Sequence, residues 1–139
     1  MAIQYKGNQY VAERGSFFRD SVMIDGDFIV GGRSTFWQNL NVTGKLYLCP
    51  ECQIRGNIVC SGGVIGRGCN IDGDMTAGTG SLILCDNSTV GCVSTEGDVL
   101  VRPGVSAKEI YGDLITVVGK VRCGKLMGKK TRLMAANSS

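Results

Sequence analysis

Histidine is absent from the 139 residues of this chain. It is the side chain that most often serves as a general base near neutral pH, and it is a frequent ligand of catalytic metals. Its absence excludes Ser–His and Cys–His pairs, the histidine base of hexapeptide-repeat acyltransferases and the histidine ligands of trimeric carbonic anhydrases. Asp25 and Asp27, like Asp72 and Asp74, flank a glycine, which is more typical of solvated turns than of catalytic carboxylates. The sequence therefore predicts a protein that is not an enzyme and uses no cofactor.

Long apolar runs are missing as well. No stretch approaches the roughly 20 apolar residues that a membrane-spanning helix needs, and the first ten residues lack the apolar segment of a signal peptide. These features predict a cytoplasmic protein, with association to a membrane surface left open. The seven cysteines are an odd number, and in a reducing compartment they are expected to behave as small buried apolar side chains.

Proline and aromatic residues are scarce, whereas glycine is abundant. Two prolines stand against 21 glycines, and aromatic residues make up 6% of the chain. This composition indicates many tight corners around a narrow core filled by Val, Ile, Leu and Cys. Gly-rich segments at 62–63, 66–68 and 78–80 are predicted to be such corners rather than phosphate-binding loops, because a strand rather than a helix follows each of them.

The glycines belong to an internal repeat. Residues 52–60, C-Q-I-R-G-N-I-V-C, return 17 positions later as residues 69–77, C-N-I-D-G-D-M-T-A. Apolar and polar residues alternate around these positions, which indicates strands with one buried face. At a period of about 17–18 residues the apolar positions form three ladders. The first is Leu40, Ile58, Met75, Val93 and Ile110; the second is Leu46, Val64, Leu82, Val99 and then Leu114 or Val117; the third is Cys52, Cys69, Ser88, Val105 and Val121.

Short strands, glycine corners and a fixed period predict an all-β fold, a parallel β-helix with three strands per coil. The repeat predicts about six coils over residues 21–126. Residues 1–20 are predicted to be a mostly disordered tail, with a cap that lays Phe17 and Phe18 over the first coil as the alternative. Residues 127–139 are predicted to be a basic tail.

The charge of the chain is unevenly distributed. Residues 1–113 hold nine basic and twelve acidic side chains, whereas no acid follows Asp113. Such a basic end suits an anionic membrane, a nucleic acid or the acidic surface of another copy. The lack of aromatic stacking platforms near it weighs against nucleic acid. The six basic residues after Asp113 are Lys120, Arg122, Lys125, Lys129, Lys130 and Arg132.

The segment C-P-E-C, Cys49 to Cys52, resembles half of a zinc knuckle. A structural zinc site needs four ligands, and the chain has neither histidine nor a second C-x-x-C. Cys85 lies two coils further on, about 10 Å away at the spacing of strands. We predict core or surface thiols and no metal site, with metal or redox use as the alternative.

The repeated units V-M-I-D-G-D-F at 22–28, C-Q-I-R-G-N-I at 52–58 and C-N-I-D-G-D-M at 69–75 resemble the bactofilin family of polymer-forming cytoskeletal proteins. The resemblance covers about residues 21–126. It implies a right-handed, three-sided β-helix that assembles end to end into non-polar filaments without nucleotide and serves as a cytoplasmic scaffold. It also implies short tails, of which the N-terminal one sometimes contacts membrane.

The open ends of a β-helix favour polymerisation on physical grounds as well. Each end has unpaired backbone groups and an apolar cross-section, and neither flank of the repeat is a convincing cap. Stacking on other copies satisfies both ends, either head-to-head and tail-to-tail or head-to-tail. The predicted contacts are Val22, Ile24, Phe28, Val30 and Phe36 at the N-terminal end, and Leu114, Val117, Val118, Val121 and Leu126 at the C-terminal end.

The alternative function belongs to another class. In it the β-helix does not polymerise and serves as a binding module, which attaches to an anionic membrane or a partner through its basic C-terminal end. The partners predicted from the sequence are therefore the chain itself, with a membrane surface or scaffold clients in addition, and no nucleotide.

Overall fold

A computed structural model describes residues 3–135, and this part of the chain consists of strands, turns and bends without a helix. It accordingly contains no helix that is long and apolar enough to cross a membrane. The strands are β1 Ile3–Lys6, β2 Gln9–Ala12, β3 Phe17–Phe18, β4 Val22–Ile24, β5 Asp27–Val30, β6 Thr35–Phe36, β7 Leu40–Val42, β8 Lys45–Leu48, β9 Gln53–Ile54, β10 Ile58–Cys60, β11 Gly62–Ile65, β12 Asn70–Ile71, β13 Met75–Ala77, β14 Leu82–Leu84, β15 Thr89–Thr95, β16 Val99–Val101, β17 Ser106–Val118 and β18 Arg122–Met134.

The strands stack in parallel on three faces, which confirms the predicted three-sided β-helix. Face A comprises β4, β7, β10, β13, the second half of β15 and the middle parts of β17 and β18. Face B comprises β2, β5, β8, β11, β14, β16 and the last parts of β17 and β18. Face C comprises β3, β6, β9, β12 and the first residues of β15, β17 and β18. The solenoid has about seven turns and is consistent with a right-handed β-helix.

The solenoid begins earlier than the sequence predicted. Strand β2 pairs in parallel with β5, and β3 pairs with β6, so an additional coil covers the first predicted one. Strand β1 runs antiparallel to β2 and is joined to it by Gly7 and Asn8, which both have positive φ. A two-residue loop of this kind is typical of a β-hairpin. The prediction of a mostly disordered N-terminal tail is therefore wrong for residues 3–20.

The solenoid also ends later than predicted. Strand β18 pairs with β17 from Arg122 to Met134 and thereby passes over all three faces. The predicted C-terminal tail is strand up to Met134, and its last residues, 136–139, lie outside the described part of the chain.

The inward side chains form the ladders that the repeat predicted, with one correction. The first ladder is confirmed in full by the strand register. In the third ladder, the amide that follows each member donates to the carbonyl of the member in the preceding coil; Asn70, which follows Cys69, donates to the carbonyl of Cys52. The second ladder runs through Gly63 and Ile115, so the assignments of Val64, Leu114 and Val117 to it were wrong. Val117 is buried beside it, in the ladder of Val101.

The corner between faces B and C repeats the same tight turn. Its third residue has positive φ in each of six successive coils, and the turn ends in a buried residue of the third ladder. Type II turns need this positive φ and favour proline at their second position. Both prolines stand at that second position, Pro50 in the C-P-E-C segment and Pro103. The residues with positive φ are Gly15, Arg33, Glu51, Gly68, Asn87 and Gly104.

Candidate functional site: the two ends of the solenoid

The C-terminal end of the solenoid is the outer edge of β18. Its 13 residues pair on one side with β17, which leaves the other edge of the strand without a partner strand in the described chain. Leu126 stacks on Ile110 and Leu133 stacks on Val117, so both occupy core-facing positions. Leu133 is nevertheless 74% exposed. The apolar pattern of the core thus continues onto a strand that nothing covers in the described part of the chain.

The charges of β18 point away from the core. Lys125, Lys130 and Arg132 pair with Glu109, Leu114 and Thr116, which lie at outward or corner positions of β17. Lys129 forms an ion pair with Asp113, with its Nζ 3.7 Å from Oδ1, but its side chain is 88% exposed. Such an exposed pair contributes little to stability. The cations surround the end of the core without occupying it.

The N-terminal end is rich in aromatic residues. Seven of the nine aromatic side chains of the protein precede residue 38. Phe18 stacks on the buried Phe36 with ring centroids 4.6 Å apart. Tyr5 and Phe17 remain 62% and 41% exposed. Strands β3 and β4 pair only with the coil that follows them, and β1 pairs only with β2, among the strands of residues 3–135. This end therefore presents open strand edges beside partly exposed rings.

The predicted N-terminal contact residues need correction. Ile24, Phe28, Val30 and Phe36 are at most 5% exposed and belong to the core of the protomer. The burial of Phe28, Val30 and Phe36 follows from the additional strands β2 and β3, which stack over β5 and β6. Ile24 is buried on β4, where it pairs with Val42 of β7. Val22 is partly buried on β4, the terminal strand of face A. The residues that do reach this end are Ile3, Tyr5, Tyr10, Phe17, Phe18, Val22 and Met23.

The predicted C-terminal contact residues lie close to the end, although most of them are one strand short of it. Val117 is 6% exposed and is covered by Leu133 of β18. Leu114 and Val118 are partly buried on β17, again beneath β18. Val121 and Leu126 belong to the terminal rung and are half-buried. Leu133 was missed from the sequence, because K-K-T-R-L-M resembles a basic tail more than a strand; its signal is the alternation of Thr131 and Leu133 with Lys130 and Arg132.

The cysteines lie mainly along the turn between faces B and C. The thiol of Cys52 donates to the carbonyl of Gly31, and the thiol of Cys69 donates to that of Cys49, both at 3.3 Å. The neighbouring thiol of Cys52, together with burial, raises the pKa of Cys69. Residues 3–135 hold no group of three or more Cys, Asp or Glu side chains that could bind a metal ion. The C-P-E-C segment serves as a turn.

The aspartates that flank glycines also have structural roles. Oδ1 of Asp27 accepts the amide hydrogen of Lys45 at 2.8 Å, and Oδ1 of Asp74 accepts that of Cys92 at 2.9 Å. Asn57 does the same for the amide of Asp74. These side chains join consecutive coils at the corners where glycines interrupt the strands.

The buried thiol of Cys60 makes stability sensitive to alkaline pH. Cys60 is 5% exposed, and burial raises its pKa from 9.0 to about 11. Because the raised pKa favours the neutral thiol in the folded state, this stabilisation is complete below pH 9 and is lost as pH rises towards 11. Two pKa units correspond to about 3 kcal/mol.

Cys60→Ala tests this contribution. Alanine fits the position, because Cys60 stacks on Ala77. Urea unfolding is expected to show a free energy of unfolding about 1 kcal/mol lower in the variant at pH 7, and a smaller further loss by pH 11 than in the wild-type protein. If the free energy of unfolding falls equally in the two proteins between pH 7 and pH 11, the alkaline sensitivity does not come from Cys60.

Comparisons with protein-family models, with curated proteins and with solved structures found no match.

Proposed function

We propose that this chain is a structural protein that assembles end to end, without nucleotide, into filaments that serve as a cytoplasmic scaffold. The observation that carries the proposal is the continuation of the apolar core pattern onto open strands at both ends, with Leu133 of β18 as its clearest member. A capped solenoid places polar groups at these positions. The resemblance of the repeat to bactofilins supports the same function.

The energetics of the ends favour stacking. An unpaired strand edge offers backbone donors and acceptors to any strand that approaches it. At the C-terminal end such pairing adds one rung at the usual spacing of about 4.8 Å, and it removes Leu126 and Leu133 from water. Burial of an aliphatic side chain contributes roughly 1.5–3 kcal/mol. Hydrogen bonds and apolar contacts therefore act together at one interface.

The charges of β18 predict how assembly depends on salt. A two-fold axis between two C-terminal ends brings β18 against β18 of another copy in antiparallel orientation. The five cations of each strand, which include Lys125 and Lys130, then lie near those of the other strand. Their repulsion is screened over about 8 Å at physiological salt. Tail-to-tail contacts, and with them non-polar filaments, are therefore expected to strengthen as salt rises.

A second candidate function rests on the same basic strand. Five exposed cations on β18 also suit an anionic membrane. In this alternative the protein stays unpolymerised and binds the membrane through its C-terminal end. Sedimentation with vesicles that contain anionic lipid, compared with neutral vesicles, separates this function from assembly.

The test is negative-stain electron microscopy of the purified protein without nucleotide, at low and high salt. We expect filaments one solenoid wide that are longer at high salt and unchanged by ATP or GTP. Discrete protomers at every concentration and salt would contradict the proposal. If the same protein sediments with anionic vesicles, the binding function replaces the proposed one.

A further inference from the structure

The part of the terminal strand β18 that lies on face B offers three kinds of contact at once. Residues 130–134, K-T-R-L-M, pair with β17 on one side, and all five are exposed. The other edge of this segment has no partner strand within the described chain. Its backbone donors and acceptors are therefore open to an added strand. We call residues 130–134 the face B edge.

The side chains of the face B edge alternate between core-facing and cationic positions. Thr131 and Leu133 stack on buried residues of β17 and therefore face the core. Lys130 and Arg132 stand on the opposite side of the strand, and neither forms an ion pair within residues 3–135. An added strand thus meets a core-facing position and a cation in turn, with a period of two residues.

The strands around the face B edge supply no acid to offset its cations. Strand β18 carries five cationic side chains and no acidic one. The part of β17 beneath the edge, residues 114–118, is uncharged. Opposite charges on neighbouring strands attract, and like charges repel. An added strand is therefore favoured when its outward residues are acidic.

Three other occupants satisfy the face B edge only in part. A second copy that stacks through its own β18 pairs the backbone and covers Leu133, but it brings cations against cations. A membrane surface attracts the cations but leaves the strand edge unpaired, and open sheet edges do not occur within hydrocarbon. A nucleic acid matches the charge through its phosphates but adds no strand. An extended acidic segment of protein matches the backbone, the core-facing positions and the charge together.

We propose that the face B edge accepts a strand from a different protein, an extended segment in which acidic and apolar residues alternate. The segment adds one further rung, about 4.8 Å beyond β18. Its apolar residues cover Thr131 and Leu133, and its acids lie beside Lys130 and Arg132. Main-chain hydrogen bonds supply affinity in such strand addition, and the alternating side chains supply specificity.

The added strand closes the C-terminal end of the solenoid to a second copy. This consequence rests on the proposed function, whereas the strand addition itself needs only a protomer. In a non-polar filament the N-terminal ends remain free to meet, so saturation with the segment is expected to leave pairs of protomers. Salt acts on the two reactions in opposite directions, because screening weakens the attraction of the acids and relieves the repulsion between copies. The segment is therefore expected to limit filament length most effectively at low salt.

Binding of short peptides tests the strand addition. The probe is a fluorescent peptide of about seven residues with alternating Glu and Val and blocked termini. One control peptide has Lys in place of Glu, and the other has the composition of the probe with its glutamates grouped at one end. Fluorescence anisotropy at low salt is expected to show at least tenfold tighter binding of the alternating acidic peptide than of either control. Absence of binding, or equal binding of the grouped peptide, overturns the inference.

A charge reversal on β18 supplies the variant for the same assay. Lys130→Glu with Arg132→Glu is expected to lose at least tenfold in affinity for the acidic peptide and to gain at least tenfold for the lysine peptide. Arg14→Glu with Arg67→Glu makes the same change of charge at exposed positions in the turns between faces B and C, and is expected to bind as the wild type does. Circular dichroism verifies the fold of both variants. Undiminished binding of the acidic peptide by the β18 variant, or an equal loss in both variants, overturns the inference.

Electron microscopy of the wild-type protein separates the inference from the proposed function. Filaments that saturating acidic peptide leaves unshortened at low salt overturn the inference and leave the proposed function standing. Absence of filaments in the protein without peptide overturns the proposed function, whereas selective binding of the alternating acidic peptide to the protomers still supports the strand addition.

Discussion

Arginine in place of both Leu126 and Leu133 is expected to abolish filaments while the solenoid stays folded. Both leucines face the core on the terminal strand, and Leu133 is 74% exposed in the protomer. In the free protomer the guanidinium groups reach water. Stacking of another copy would bury them without partners, which costs several kcal/mol. A loss of about 3–4 kcal/mol raises the concentration needed for assembly by about 10²–10³.

The matched control changes the adjacent residues of the same strand. Met127 and Met134 are 47% and 51% exposed and pair with outward residues of β17. Met127→Arg with Met134→Arg adds the same charge at positions that stacking leaves in water. Electron microscopy and sedimentation should show filaments of the control, and circular dichroism should show the same β-rich spectrum for both variants. If neither variant forms filaments, the added charge alone explains the effect. If both variants form filaments, β18 is not a contact between copies.

Alanine at Gly63 is expected to destabilise the fold severely, although the substitution adds only one methyl group. Gly63 has φ of +139° and takes the place of a large side chain between Leu46 and Leu82 in the second ladder. A Cβ at this position would lie 1.9 Å from the carbonyl oxygen of Leu46. Backbone strain of this kind costs about 1–3 kcal/mol, and the overlap adds to it. We expect a total of about 3–5 kcal/mol, a large part of the usual stability of a domain.

Gly78→Ala is the control for this substitution. Its Cβ would have no neighbour closer than 3.5 Å, which is ordinary van der Waals contact, and its φ is not positive. The added methyl group reduces the freedom of the unfolded chain, so a change within about 1 kcal/mol is expected. Urea unfolding followed by circular dichroism measures both. Equal stability of the two variants would show that the backbone at Gly63 of β11 relaxes at little cost.

Gly63 also shows where prediction from the sequence reached its limit. The first ladder was predicted in register, because its apolar residues recur every 17 or 18 positions. The third was also predicted, although its spacing changes from 17 between Cys52 and Cys69 to 19 between Cys69 and Ser88. The face B ladder has the same change of spacing, between Leu46, Gly63 and Leu82, but here glycine occupies the core position and no apolar side chain marks it. Its apolar neighbour Val64 was therefore assigned to the core, although Val64 lies at an outward position of face B and is half-buried.

The sequence predicted that the two ends of the solenoid form the contacts, but it did not identify most of the residues that lie there. The pattern of the central coils does not show where stacking stops, because the terminal strands share their alternation but lack the glycine motif. The alternation of apolar and polar residues extends over only four residues in Q-Y-V-A and five in K-T-R-L-M. In the second segment, two of the five residues are charged. The backbone pairing of β2 with β5 and of β18 with β17 decides the matter. The cationic residues that indicated a tail are the outward half of a strand.

The stacking of coils also determines how the protein responds to damage. Each strand pairs only with the strands of the preceding and following coils, apart from the hairpin near the start of the described chain. The stability of each coil therefore depends on its contacts with the two neighbouring coils. A destabilising substitution first weakens its own coil and the two beside it. The terminal coils, with neighbours on one side alone, open at a lower free energy than the central ones. The free energy of local opening therefore varies along the axis of the solenoid, and it is highest in the central coils.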